Sequence, residues 1–195
     1  MNTSDFLDRL LIRYTHSYDI IKPYTSDIPG CTAYGKFASR SEKYVLTRKA
    51  NIWTVLGFEH VFFLEVKELA PDLTEEIGSI VTDELEPQLV RSGNKYPPKD
   101  HMYTFLTFVV LCGKKPEKNA VASLKKFRLR REYLLGFRGS FETHFICVDT
   151  ETENITMNFR DPELKKIYIA TFDDVKKGKP GYGSIAHNSD SSCQS

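Results

Sequence analysis

The chain has a single tryptophan, three methionines and only four cysteines. Cys31, Cys112, Cys147 and Cys193 are far apart in sequence, which excludes a zinc ribbon or a thioredoxin-type pair. Cys112 and Cys147 sit inside apolar runs, where a reduced cysteine packs as a small hydrophobe. None of the first three has a basic helix start nearby to favour a nucleophilic thiolate. Long apolar runs are missing too: Phe105 to Cys112 is the longest and is too short to cross a bilayer. Met1 to Asp5 lacks the basic and apolar regions of a secretory leader, so the chain is expected to be cytoplasmic, with no membrane partner. A phosphate-binding glycine loop, a serine elbow, a dinucleotide fingerprint and a paired-histidine metal motif are all absent. No cofactor and no metal site are expected.

What the chain does have is 195 residues, with 41% apolar and 27% charged content, and 13 Phe and 10 Tyr. This is ordinary globular composition, too aromatic for a disordered chain. Net charge is +1, so the whole chain does not advertise a polyanionic partner. Charge is nevertheless uneven. Glu59 to Glu86 carries nine acids and one base, whereas Lys114 to Arg138 carries nine bases and two acids. The partner class expected from this is a protein or a polyanion.

Periodicity predicts an α+β fold, a largely antiparallel sheet packed by three main helices over 4–22, 72–86 and 162–177. The first carries Phe6, Leu7, Leu10, Leu11 and Tyr14 on one stripe, with Thr3 or Ser4 as its cap. The second closes at Pro87 and the Ser92–Gly93–Asn94 turn. The third starts with Asp161 as cap and Pro162 at the first helical position. Strands are expected over 31–37, 43–47, 51–56 and 60–67 as a meander, over 103–112, and over 141–149 and 154–159 as a hairpin. Residues 117–126 suggest a short helix, and the alternation Phe127, Leu129, Tyr133, Leu135, Phe137 suggests a strand with those side chains inward. The expected organisation is one domain over 1–177 and a flexible tail over 178–195.

Three clusters could carry function. Phe62–Lys67 resembles the metal-and-lysine half of the PD-(D/E)xK nucleases, a strand ending in Glu-x-Lys. That resemblance implies Glu65 on a metal and Lys67 on a phosphate, and it asks for an acid on the preceding strand, where this chain has Asn51. His101, after the double proline, is a candidate base, against the plainer reading of a histidine that anchors its loop. Lys125, Lys126, Arg128 and Arg130 form the best case for a nucleic-acid interface, with Tyr133 or Phe137 nearby for stacking.

Residues 40–53, 101–107 and 137–144 resemble an uncharacterised bacterial domain family. The resemblance implies one domain over about residues 4–177, and supplies neither catalytic residues nor a ligand. The family pattern tolerates Lys at position 51, where this chain has Asn. No complete catalytic set emerges. The leading reading is a non-catalytic binding or interaction protein, ahead of a nuclease-like phosphodiesterase and a nucleic-acid-binding module.

Overall fold

The computed structural model describes residues 1–43 and 53–183, with side chains described at 1–39 and 56–183. Residues 44–47 and Asn51, which bear on two expected strands and on the missing carboxylate, lie outside the described residues. So do His187 and Cys193.

Among the described residues one seven-stranded sheet organises the chain, in the order β1-β2-β3-β4-β6-β5 with β7 also on β6. Its strands are β1 (Asp19–Ile21), β2 (Cys31–Lys43), β3 (Trp53–Val66), β4 (His101–Cys112), β5 (Arg130–Glu132), β6 (Ser140–Asp149) and β7 (Asn154–Met157). The sheet is mixed, which corrects the expectation of a largely antiparallel one. β3 pairs with β4 and β4 with β6 in parallel, and the other pairings are antiparallel. The physical reason is that the chain leaves β3 and β4 through helices rather than tight turns, and a helical crossover returns it in the same direction.

Among the described residues four α-helices cover the sheet, the three main ones and the short one expected over 117–126, and a π-helical segment joins them. α1 (Thr3–Tyr14) is capped by Asn2, whose side chain accepts from the Ser4 amide at 3.0 Å. It ends well before residue 22: the chain turns after Tyr14, and 19–21 pair with 34–36 as β1. α2 (Leu73–Ile80) does not stop at Pro87 but runs on as a π-helix over Val81–Val90 with Pro87 inside it. The wider turn lets Arg91 N–H reach the Glu86 carbonyl, five residues back, at 3.2 Å. α3 (Lys118–Lys126) and α4 (Pro162–Lys176) fall where the sequence puts them, and the Asp161 carboxylate accepts from the Leu164 amide at 2.9 Å.

Strand alternation splits the core in two. Phe62, Phe108 and Phe145 stack across β3, β4 and β6 on one face, under α2, the π-segment and α3. Val61, Phe63, Val109, Leu111, Ile146 and Val148 meet α1 and α4 on the other. There the Tyr14 and Tyr168 hydroxyls lie 2.8 Å apart, buried. Where a meander was expected, β2 and β3 form one long antiparallel pair, and Ser39 and Gly57 are cross-strand partners in it rather than breaks. Residues 179–183 run beside α1: Arg9 donates to the Lys179 carbonyl at 2.9 Å, and Tyr182 packs against the core.

Candidate functional site

The sequence candidates are spread over both ends of the sheet. Glu65 lies near the C-terminal end of β3 opposite Leu111, half-buried, and accepts from the Thr32 hydroxyl at 3.1 Å. Lys67 follows the strand and is exposed. His101 opens β4 opposite Leu56. Nine residues of strand separate those two levels, about 30 Å, so the three side chains do not share a cleft. Among the described residues no group of three His, Cys, Asp or Glu is placed to hold a metal.

His101 is 4% exposed and both ring nitrogens are engaged. Nδ1 lies 3.0 Å from the Arg138 carbonyl, which can only accept, so Nδ1 carries the proton and donates. Nε2, 2.8 Å from the Thr104 hydroxyl, then accepts. Burial lowers the pKa of this ring, in keeping with a neutral tautomer. The histidine thus fastens the segment that follows β5.

That segment, Tyr133–Gly139, departs most from the sequence expectation. Only Arg130–Glu132 forms a strand, because Leu134 and Leu135 take positive φ, 50° and 54°, and the chain curls into a turn. The turn is braced by its own backbone: Tyr133 N–H donates to the Gly139 carbonyl at 3.0 Å and Arg138 N–H to the Tyr133 carbonyl at 3.1 Å. At its root, the Arg138 guanidinium donates to the Pro97 carbonyl at 2.9 Å. Of the apolar residues assigned to the core, Tyr133 is buried, whereas Leu135 and Phe137 are 93% and 84% exposed. Met102, beside Gly139, adds a 56% exposed apolar side chain. The two glycines in Leu-Leu-Gly-Phe-Arg-Gly were the available signal for a turn.

The root is also tied to the π-segment. Glu86, 1% exposed, accepts from the Tyr133 hydroxyl, from Arg91 at 2.9 and 3.0 Å and from Arg131 at 3.2 Å. Burial and the adjacent carboxylate push the Tyr133 phenol well up. A Glu86→Ala variant leaves the buried hydroxyl without its acceptor and two guanidiniums without their anion. It should lose about 2 kcal/mol in urea unfolding, with Arg91 and Arg131 partly rescued by water.

Lys125, Lys126, Arg128 and Arg130 are all exposed, the first two at the end of α3 and the last on β5. Arg128 donates to the Lys125 and Phe127 carbonyls at 2.9 and 2.6 Å, and Arg130 pairs with Glu132 at 2.6 Å.

A second constellation is only partly legible in the sequence: parity puts Glu142 and His144 on one strand face, and the strand register adds the rest. On the α1/α4 face, below the helix core, Glu59, Phe105 and Glu142 are consecutive cross-strand neighbours on β3, β4 and β6. Thr107 and His144 form the next row. Glu59 accepts from the Tyr18 and Thr107 hydroxyls, both at 2.6 Å. His144 lies between Phe105 and Phe159, with ring centroids 4.7 and 4.2 Å away and planes within 24° and 20°. Burial lowers its pKa against the opposing pull of Glu142. Tyr103 continues the aromatic floor, its ring lying over Gly57, where a β-carbon would strike it.

A family model, the domain of unknown function DUF8052, matches residues 2–170. The chain belongs to that family. No curated protein and no solved structure matches it. The DUF8052 match takes in the whole sheet and both helical layers as far as Ala170 in α4, and so includes the braced turn, its His101 and Glu86 fastenings and the aromatic floor. Among the described residues no helix is long and apolar enough to cross a membrane.

Proposed function

We propose that this DUF8052 chain is a non-catalytic binding protein that docks onto a partner protein through the turn Tyr133–Gly139. The observation that carries the reading is the exposure of Leu135 and Phe137, 93% and 84%, on a turn fastened at its root. Large apolar side chains held rigidly in water are the usual anchors of an interface, since little ordering remains to be done on contact. Two residues in the left-handed region point the same way, because such strain persists where surrounding structure enforces it, often at contact sites. Exposed Arg130 and Arg131 stand on β5, the strand that leads into the turn, so a partner with acidic groups beside an apolar pocket fits it. Cys112 and Cys147, free thiols with sulfurs 3.6 Å apart, favour a reducing compartment, the cytoplasm, with no membrane involved.

A nucleic-acid interface along Lys125, Lys126, Arg128 and Arg130 is the second reading, favoured by the exposure of all four within one short stretch of chain. A phosphodiesterase centred on Glu65 and Lys67 is third.

The test is photo-crosslinking from position 137 in cells, followed by affinity measurement with the captured protein. The double variant Leu135→Ser, Phe137→Ser should fold with stability within about 0.5 kcal/mol of the parent, as exposed positions allow. It should bind the captured protein at least about tenfold more weakly, as loss of an anchor residue does. Equal binding by parent and variant would remove this reading. Salt-sensitive oligonucleotide binding, lost on Arg128→Ala and Arg130→Ala, would install the second in its place.

A further inference from the structure

The start of α3 and the β6–β7 hairpin enclose a pocket of about 200 Å³. Strand register builds its floor: Cys147 and Thr156 are cross-strand partners, and Asp149 and Asn154 are the next pair. Pro116 and Val121 supply apolar wall, and the exposed Lys115 and Lys118 complete the lining. Thr156 is 8% exposed and lines this pocket, yet its hydroxyl has no hydrogen-bond partner among the described residues. A nearly buried hydroxyl left unpaired is unfavourable, and a polar group entering the pocket would satisfy it. Its neighbours on the floor are engaged elsewhere. The Cys147 sulfur lies 3.6 Å from that of Cys112, and Asp149 accepts from the Glu151 and Thr152 amides at 3.0 and 3.1 Å and from the Thr152 hydroxyl.

The charge of the lining selects the ligand. Asp149 directs its carboxylate at the hairpin turn, whose donors offset its charge, whereas the ammonium groups of Lys115 and Lys118 have no acid paired with them among the described residues. The nine-residue α3 adds to these cations: Glu117 at its cap places no side chain on the first-turn amides, and that turn holds no acid. Two free ammonium groups beside the positive end of a helix favour an anion. The neighbouring Cys112 thiol and burial push the Cys147 thiol up, so it adds no opposing charge. Pro116 and Val121 suit a short carbon body, and the Thr156 hydroxyl suits an oxygen substituent. We propose that this pocket binds a small hydroxy or oxo carboxylic acid. Its carboxylate meets Lys115, Lys118 and the first turn of α3, and its second oxygen function pairs with Thr156. The site shares no residue with the turn Tyr133–Gly139, so it stands or falls separately from the docking role.

The experiment is a nuclear magnetic resonance titration of the full chain with sodium lactate, with lactamide as the neutral counterpart and inorganic phosphate as a plain anion. Lactate should shift the amides of Lys118, Asn119 and Thr156 at roughly millimolar concentration, the affinity that a few such contacts support. Thr156→Val keeps the branched shape and removes the hydroxyl, and should weaken lactate binding about fivefold, the share of one hydrogen bond. Its urea midpoint should be no lower than the parent's, since no hydrogen bond within the fold is lost. Lys118→Gln, at an exposed position, should weaken binding about threefold, and Lys125→Gln, in the last turn of the same helix, should change nothing. No shifts, shifts centred elsewhere, or equal binding of lactamide or phosphate would each overturn the proposal. So would an unchanged affinity in Lys118→Gln, or a lowered midpoint in Thr156→Val, which would assign the hydroxyl to the fold.

Discussion

A Gly139→Ala variant should lose about 3 kcal/mol of unfolding free energy, from about 1 for a left-handed non-glycine residue and the rest from overpacking. Gly139 has φ of 73°, and a β-carbon there would overlap the Met102 carbonyl oxygen and stand 2.6 Å from His101 Nδ1 and 2.7 Å from the His101 carbonyl. Two of these obstacles are backbone atoms of β4, a central strand, and cannot swing aside. The His101 ring would be pushed off the Arg138 carbonyl, so the turn should lose its fastening as well. Gly136 is the built-in comparison: φ is 87° but nothing lies within 4 Å of an added β-carbon. Gly136→Ala should lose only the backbone share, about 1 kcal/mol. Urea denaturation of the two variants side by side measures the difference, and amide exchange at Phe137 and Arg138 shows whether the turn has opened in Gly139→Ala alone.

The fold should weaken by about 3 kcal/mol between pH 6.5 and pH 4, through His60. His60 is 4% exposed on β3, its Nδ1 2.5 Å from the Tyr34 hydroxyl, with Lys36 as its cross-strand partner. Burial, helped by the Lys36 charge, lowers its pKa from 6.5 to about 4. The unfolded chain therefore takes up a proton that the folded chain resists. The contribution is complete above pH 6.5, declines as pH falls below that value, and is gone below about 4. His101 and His144 are shifted in the same direction by burial and steepen the loss. Stability in urea measured across this range should fall smoothly, and His60→Gln should flatten the curve. An unaltered pH profile in that variant would assign the acid sensitivity elsewhere.

How much of this was legible in the sequence depended on whether one local signal governed the outcome. α4 could be read to the residue at its start because Asp161 and Pro162 act within one turn. The β6–β7 hairpin was equally local. The parallel centre was not legible, since whether β4 lies beside β3 in the same direction is decided by packing across the α2 and π crossover, not by alternation along either strand. Strand alternation over 127–137 predicted five inward residues, but two leucines in the left-handed region overrode it after Tyr133. Of the candidate residues, His101 could be read as a loop anchor from its place after two prolines, and the exposure of Arg128 and Arg130 from their charge alone. Glu59, Phe105 and Glu142 are far apart along the chain and meet only through register, which no spacing rule reveals.

The three-residue lengths of β1 and β5 have one more effect. Long exposed strand borders invite other chains to add themselves by backbone pairing, and short charged ones offer too little to zip onto. Arg130, Arg131 and Glu132 make the β5 border wholly charged. A molecule that keeps a leucine and a phenylalanine in water thus offers a second chain little backbone to pair with beside them, and associations at that border are left to side chains that can discriminate.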